Sequence, residues 1–134
     1  MKYRKHAVVP DPQVRPGVPI NHLAAAGRYF AEKRPEVVVL LGDWWDMKSL
    51  SSWDSDATKI MEGVEYEGDI TAGRRALDLF LRNLRADKKY DPEVHFCVGN
   101  HEHRITRFTQ DNPMLRNVLS FASLGLQERG IKVH

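Results

Sequence analysis

The sequence predicts a single α/β domain, residues 1–134, with a mainly parallel sheet and flanking helices. Three observations predict it. Short valine-rich runs at residues 7–10, 37–41 and 94–98 are bounded by glycine and proline and read as buried strands. Stretches of helical spacing fall between them. The resulting order, strand and helix alternating up to a fourth strand, calls for right-handed crossovers between parallel neighbours.

Taken in order, the first strand runs into a loop at residues 11–19, rich in proline and glycine and unfit for regular structure. Asn21 is a good N-cap, and Leu23, Ala26, Gly27 and Phe30 follow at helical spacing until Pro35 stops the run. The second strand ends at Gly42. Residues 43–69 show no clear period. Ser49, Ser51, Ser52, Asp54, Ser55 and Asp56 mark loops there, with a helical turn at 57–61, and a stretch of this kind is commonly functional or mobile. A second helix is expected at 71–87, with Leu77, Phe80, Leu81 and Leu84 on one face and Arg74, Arg75, Arg82 and Arg85 on its wet face. After the third strand, Asn112 as cap and Pro113 at the first helical position predict a helix through residue 122. Residues 131–134 begin a last strand.

Bulk properties narrow the function. With 134 residues, 42% hydrophobic and 28% charged, the chain has the size and composition of one soluble domain. A net charge of +2 falls far short of a polycationic nucleic-acid binder. The longest apolar run, 37–41, is too short to span a membrane, and the basic amino terminus lacks the apolar core of a signal peptide. The lone cysteine, Cys97, excludes an internal disulfide, fits a reducing, cytoplasmic setting, and reads as a buried core thiol.

Each of the three strands ends in a side chain suited to metals: Asp11-Pro12-Gln13, Gly42-Asp43-Trp44-Trp45-Asp46 and Gly99-Asn100-His101-Glu102. In open parallel sheets, ligands collect at the carboxyl ends of the strands. Asp43, after a glycine turn, can bridge two cations; Asp11 and Gln13, two apart, can face one ion; Asn100 offers a neutral oxygen. Hard oxygens of this kind suit manganese, magnesium or ferrous iron, and histidine would extend the choice to zinc. Two ions about 3.5–4 Å apart can clamp the attacking and leaving oxygens of phosphoryl transfer. His101 is placed as the general acid, and Asp46, three residues after Asp43, as the acceptor of its N–H.

These blocks resemble the first three signature blocks of the calcineurin-like metallophosphoesterases, most closely the short bacterial and phage-type single-domain members. The resemblance implies Asp11, Gln13, Asp43 and Asn100 as metal ligands, His101 as the catalytic histidine and Asp46 as its partner. It also implies two divalent ions, manganese foremost, and a phosphate-ester substrate, with phosphodiesters of nucleotides or nucleic acid favoured. Gln13 stands where the family's usual Asp-x-His block has histidine, as in nucleotide-pyrophosphatase-like members. A later histidine and a closing Gly-His-x-His segment are absent, so the resemblance covers the amino-terminal portion of the family fold. One ion then keeps Asp11, Gln13 and Asp43, the other only Asp43 and Asn100. The family core is two packed sheets; half of it leaves one sheet face uncovered, which predicts an interface there, with a homodimer as the hypothesis. The competing reading is an incomplete fragment that binds metal weakly and acts through a partner. A nucleic-acid-binding module without catalysis ranks third.

Other residues are read more plainly. His6 and His95 belong to strands, His22 is a surface group at the start of a helix, and His134 is terminal. His103, Arg104 and Trp45 are candidate substrate contacts, with Arg107 beside them. One of Trp44 and Trp45 is expected in the core, the other, with Trp53, beside the substrate. Glu102 is expected to make a structural hydrogen bond or salt bridge near its turn. Glu62, Glu65, Glu67 and Asp69 read as a solvated acidic loop.

Overall fold

A computed structural model describes residues 3–51 and 65–134. The expected turn at 57–61, Trp53 and Glu62 lie outside the described residues. The fold is α/β: a four-stranded, all-parallel sheet in the order β1 (His6–Val9), β2 (Val37–Leu40), β3 (Glu93–Phe96), β4 (Ile131–Val133). Helix α1 (Asn21–Lys33) crosses from β1 to β2 and α2 (Tyr66–Leu84) from β2 to β3, and the two pack against each other. Neighbouring strands in space are neighbours in sequence, so each connection is a crossover between adjacent parallel strands.

Strand alternation then divides the sheet. Val9, Val38, Leu40, Val94, Phe96 and Ile131 are buried with Leu77, Phe80 and Leu84 of α2 and Leu23 of α1. The register row Val8, Val39, His95, Lys132 belongs to the other face. There Val8 is 47% exposed, and Leu41, just past β2, is 52% exposed. On that face His95 and His134 stack, Nδ1 to Nε2 at 2.8 Å. Lys132 first, then Arg4, hold the Glu93 carboxyl down to about 2. No helix among the described residues is long and apolar enough to cross a membrane.

Four expectations are corrected. Helix α2 starts at Tyr66 rather than 71 and ends at Leu84 rather than 87, because Tyr66 and Ile70 extend its apolar face and Glu67 and Asp69 suit the positive end of its dipole. Asp69 is therefore not solvated: it is 1% exposed and accepts the Ser49 N–H at 2.9 Å. Asn112 closes a helix instead of opening one. The helix is α3 (His103–Asp111), and Asn112 gives both its backbone N–H and Nδ2 to the Phe108 carbonyl. Beyond it, only short 3-10 turns at Pro113–Leu115 and Phe121–Leu124 replace the expected helix. Cys97 lies past the end of β3 and is partly exposed rather than a core thiol.

Candidate metal centre

Three turns leave the carboxyl ends of β1, β2 and β3 and are stitched together by main-chain bonds. Gln13 N–H donates to the Asp43 carbonyl at 2.9 Å, Val14 N–H to that of Trp44 at 2.7 Å, and Asp46 N–H back to Val14 at 2.9 Å. The third turn joins when His101 N–H donates to Asp43 Oδ1 at 2.9 Å. Asp11, Gln13, Asp43, Asp46, Asn100 and His101 thus come from three turns at one edge of the sheet.

The backbone there is unusual. Asp11, Gln13, Asp43 and Met47 have φ values of 47°, 46°, 47° and 51°, a region that side-chain-bearing residues rarely occupy and that costs on the order of 1–3 kcal/mol each. Gly42 and Gly99 make the close approach feasible. A Cβ on Gly42 would collide with the Cys97 carbonyl, and one on Gly99 would collide with the Asp43 carboxylate.

Glu102 holds this geometry from beneath. It is fully buried, and its Oε2 accepts the N–H groups of Asp43 and Gly99, both at 2.9 Å, while Oε1 accepts that of Trp45 at 3.1 Å. Burial pushes its carboxyl above the usual glutamate range, although the three N–H bonds pull the other way. The expected structural hydrogen bond is present in triplicate, joining the second turn to the third.

Trp45 is corrected as a substrate contact. Both Trp44 and Trp45 are 0% exposed, pack edgewise on Phe80 and Phe96, and give their indole N–H to the Gly73 and Ile70 carbonyls of α2. Gly73 makes room, since a Cβ there would strike the Trp45 indole.

His101 Nδ1 lies 2.8 Å from the Asp46 main-chain carbonyl and 3.5 Å from its carboxylate Oδ1. The partnership with Asp46 is there, but the carbonyl is the nearer acceptor. A carbonyl only accepts, so Nδ1 carries the hydrogen and leaves Nε2 for chemistry. The left-handed Met47 turns the Asp46 carbonyl toward the imidazole, and the Asp46 carboxylate also meets Arg15 at 3.5 Å. Arg104 spends one guanidinium nitrogen on the Asp46 and Met47 carbonyls at 2.8 and 3.2 Å, with the other 3.4 Å from His101 Nε2. It is a brace for this turn as much as a group near a substrate. His103 is exposed at the start of α3, edgewise to Phe121, and Asn100 is exposed with its carbonyl 3.5 Å from Arg107.

Sequence reasoning missed the contact of Arg15 with Asp46 and the tie from Asp69 to Ser49. The approach of Arg104 to His101 had no signal in the residues, because α3 was not anticipated and His101 lies two positions before it. Among the described residues, no three His, Cys, Asp or Glu side chains form a metal-binding group. The negative donors are Asp11 and Asp43, and amide oxygens of Gln13 and Asn100 would have to supply the remainder. No protein-family model matches the chain, and neither a curated protein nor a solved structure matches it.

Proposed function

We propose that the chain is a metal-dependent phosphoesterase that acts on phosphodiesters, those of nucleotides or nucleic acid in preference, with two divalent cations. One observation carries the reading: three strand-end turns, strained at Asp11, Gln13 and Asp43, are stitched together around the Asp43 carboxylate and His101. Strain is retained where surrounding structure enforces it, and it gathers at functional sites.

The donor chemistry fits a hard cation. Asp11, Gln13, Asp43 and Asn100 are the oxygen donors, and the collision a Cβ at Gly99 would suffer marks a cradle kept open for the Asp43 carboxylate. When bound, the ions would supply Lewis acidity, manganese being the first candidate and magnesium, iron(II) or zinc the others. With only two carboxylates, the site leaves such a pair net positive, which suits a phosphate anion.

The chain's own groups do the rest. Asp43 keeps Oδ2 available while Oδ1 holds the His101 main chain. Held through Nδ1–H, His101 would protonate the departing oxygen from Nε2 in its doubly protonated form, with the Arg104 guanidinium standing 3.4 Å from that nitrogen. Arg104 holds the carbonyl that orients it.

Hydrolysis of bis(p-nitrophenyl) phosphate with manganese, together with calorimetric manganese titration, tests the proposal. Asp43→Asn is expected to lower turnover at least 100-fold and weaken manganese binding; turnover retained in that variant refutes it. The second reading, an incomplete unit that works through a partner or a second copy, is favoured by the exposure of Val8 and Leu41 on the open sheet face. A dimer by light scattering at tens of micromolar would support the second-copy version, and a monomer would remove it.

A further inference from the structure

Two depressions meet and lead away from this edge of the sheet. The first, about 690 Å³, lies between the loop after β1 and the start of α2, with Val18, Pro19 and Ala72 on its wall. The second, about 790 Å³, lies between the start of α1, the body of α2 and Arg129 in the turn before β4. They share Ile20, Asn21, Thr71 and Arg75, so they form one groove. Arg15 lines the near end and reaches Asp46, whose carbonyl faces His101.

The ends of the groove differ in charge. Glu65 and Glu67 balance Arg15 and Arg75 at the near end. At the far end Arg74, Arg75, Arg82 and Arg129 stand against Asp78 alone. Asp78 is taken by Arg129, and Arg74 pairs with Glu128 just outside. Arg75 and Arg82 are exposed and make no ion pair with any described residue. Seven positions apart on α2, they stand about 10 Å apart along the axis. A nucleic-acid strand places roughly two or three consecutive phosphates in that length. Guanidinium groups bind such oxygens in pairs of parallel hydrogen bonds.

We propose that the groove seats a single-stranded nucleic acid, with backbone phosphates on Arg75 and Arg82 and a base against the Val18, Pro19 and Ala72 wall. The strand then leads past Arg15 to His101. A single strand is the occupant because the near end offers an apolar wall and no excess positive charge. That combination suits an unstacked base, whereas a duplex keeps its bases inside. The purpose of the groove rests on the phosphodiesterase reading, but the binding does not.

The experiment measures fluorescence anisotropy of a fluorescein-labelled oligothymidylate of about fifteen nucleotides with the full chain in EDTA. Arg75→Gln with Arg82→Gln is expected to weaken binding at least tenfold. It should also lower the slope of log affinity against log salt by about 1.4, two phosphate contacts at about 0.7 each. Lys88→Gln with Lys89→Gln removes the same charge from exposed positions outside the groove and is expected to change Kd less than about twofold. Equal losses in the two double variants would reduce the effect to net charge and overturn the proposal. Unchanged binding in the arginine pair, or tighter binding of duplex than of strand, would overturn it as well. Because metal is removed, a chain without hydrolytic activity still gives a clear binding result, so the two failures are distinguishable.

Discussion

The turns after β2 and β3 and the loop after β1 feed the same edge of the sheet, yet they are held in opposite ways. The first two are anchored from below by Glu102, which takes three main-chain N–H groups, and by two fully buried indoles. The loop after β1 is exposed at Asp11, and the Gln13 side chain bonds only Asp11 Oδ1, at 2.8 Å. It is tied to the neighbouring turn mainly through main-chain bonds of Gln13 and Val14. Asp43 and His101 therefore sit on a rigid platform, while Asp11 and Gln13 hang from it. The difference teaches that geometry at this edge is set by Asp43 and His101, and that the first loop adapts to it.

Substitutions at three positions probe that contrast, in falling order of effect. Glu102→Ala orphans three N–H groups and leaves a cavity, and it is expected to cost about 3 kcal/mol or more in urea denaturation. A cost below about 1 kcal/mol would break the comparison. Glu102 also gives the platform a pH signature. Its folded carboxyl titrates above the usual range, mainly through burial, so the folded chain holds that proton more tightly than the unfolded one. Its contribution to stability is therefore full below the unfolded value near 4.5 and is lost as pH rises through the folded value. Glu102→Gln is expected to lack this decline when denaturation is followed from pH 4 to 7. Next comes Gly99→Ala, whose Cβ collides with the Asp43 carboxylate. We expect about 1–3 kcal/mol of destabilisation together with loss of manganese binding by calorimetry. Smallest is Gln13→Gly in the hanging loop. Relief of the left-handed strain offsets the added freedom of the unfolded chain, so stability should change by under about 0.5 kcal/mol while manganese affinity falls.

The same contrast explains what could be read from the residues alone. The strands were legible because valine runs between glycine and proline have few other uses, and their ends named the edge where Asp43 and His101 meet. Glu102 could be anticipated as a hydrogen-bonding group because it sits beside a turn that must be tied down. Trp45 could not be placed. Its burial depends on Gly73 of α2, nearly thirty residues away, and on carbonyls whose positions arise only when α2 docks. Helix α3 was hidden because just Ile105 and Thr109 among its nine residues are buried, too few for a period to show. Asn112-Pro113 also resembled a beginning rather than an end. Asp69 misled for a related reason, since an acid within an acidic run gives no sign that it will be covered by its neighbours.

The strand order has a consequence for how the chain reaches this state. Every strand pairs with its immediate sequence neighbours, so the sheet can grow one strand–helix unit at a time, although each pairing must first close its own crossover, the longest running from residue 41 to residue 92. The β1–β2 pairing is complete by residue 41, whose N–H donates to the Val9 carbonyl. Trp44 and Trp45 follow directly, but their indoles stay wet until α2 arrives to cover them and accept their N–H groups. The two indoles are therefore a built-in clock for one event, the moment α2 closes over the sheet and the platform beneath the site becomes dry.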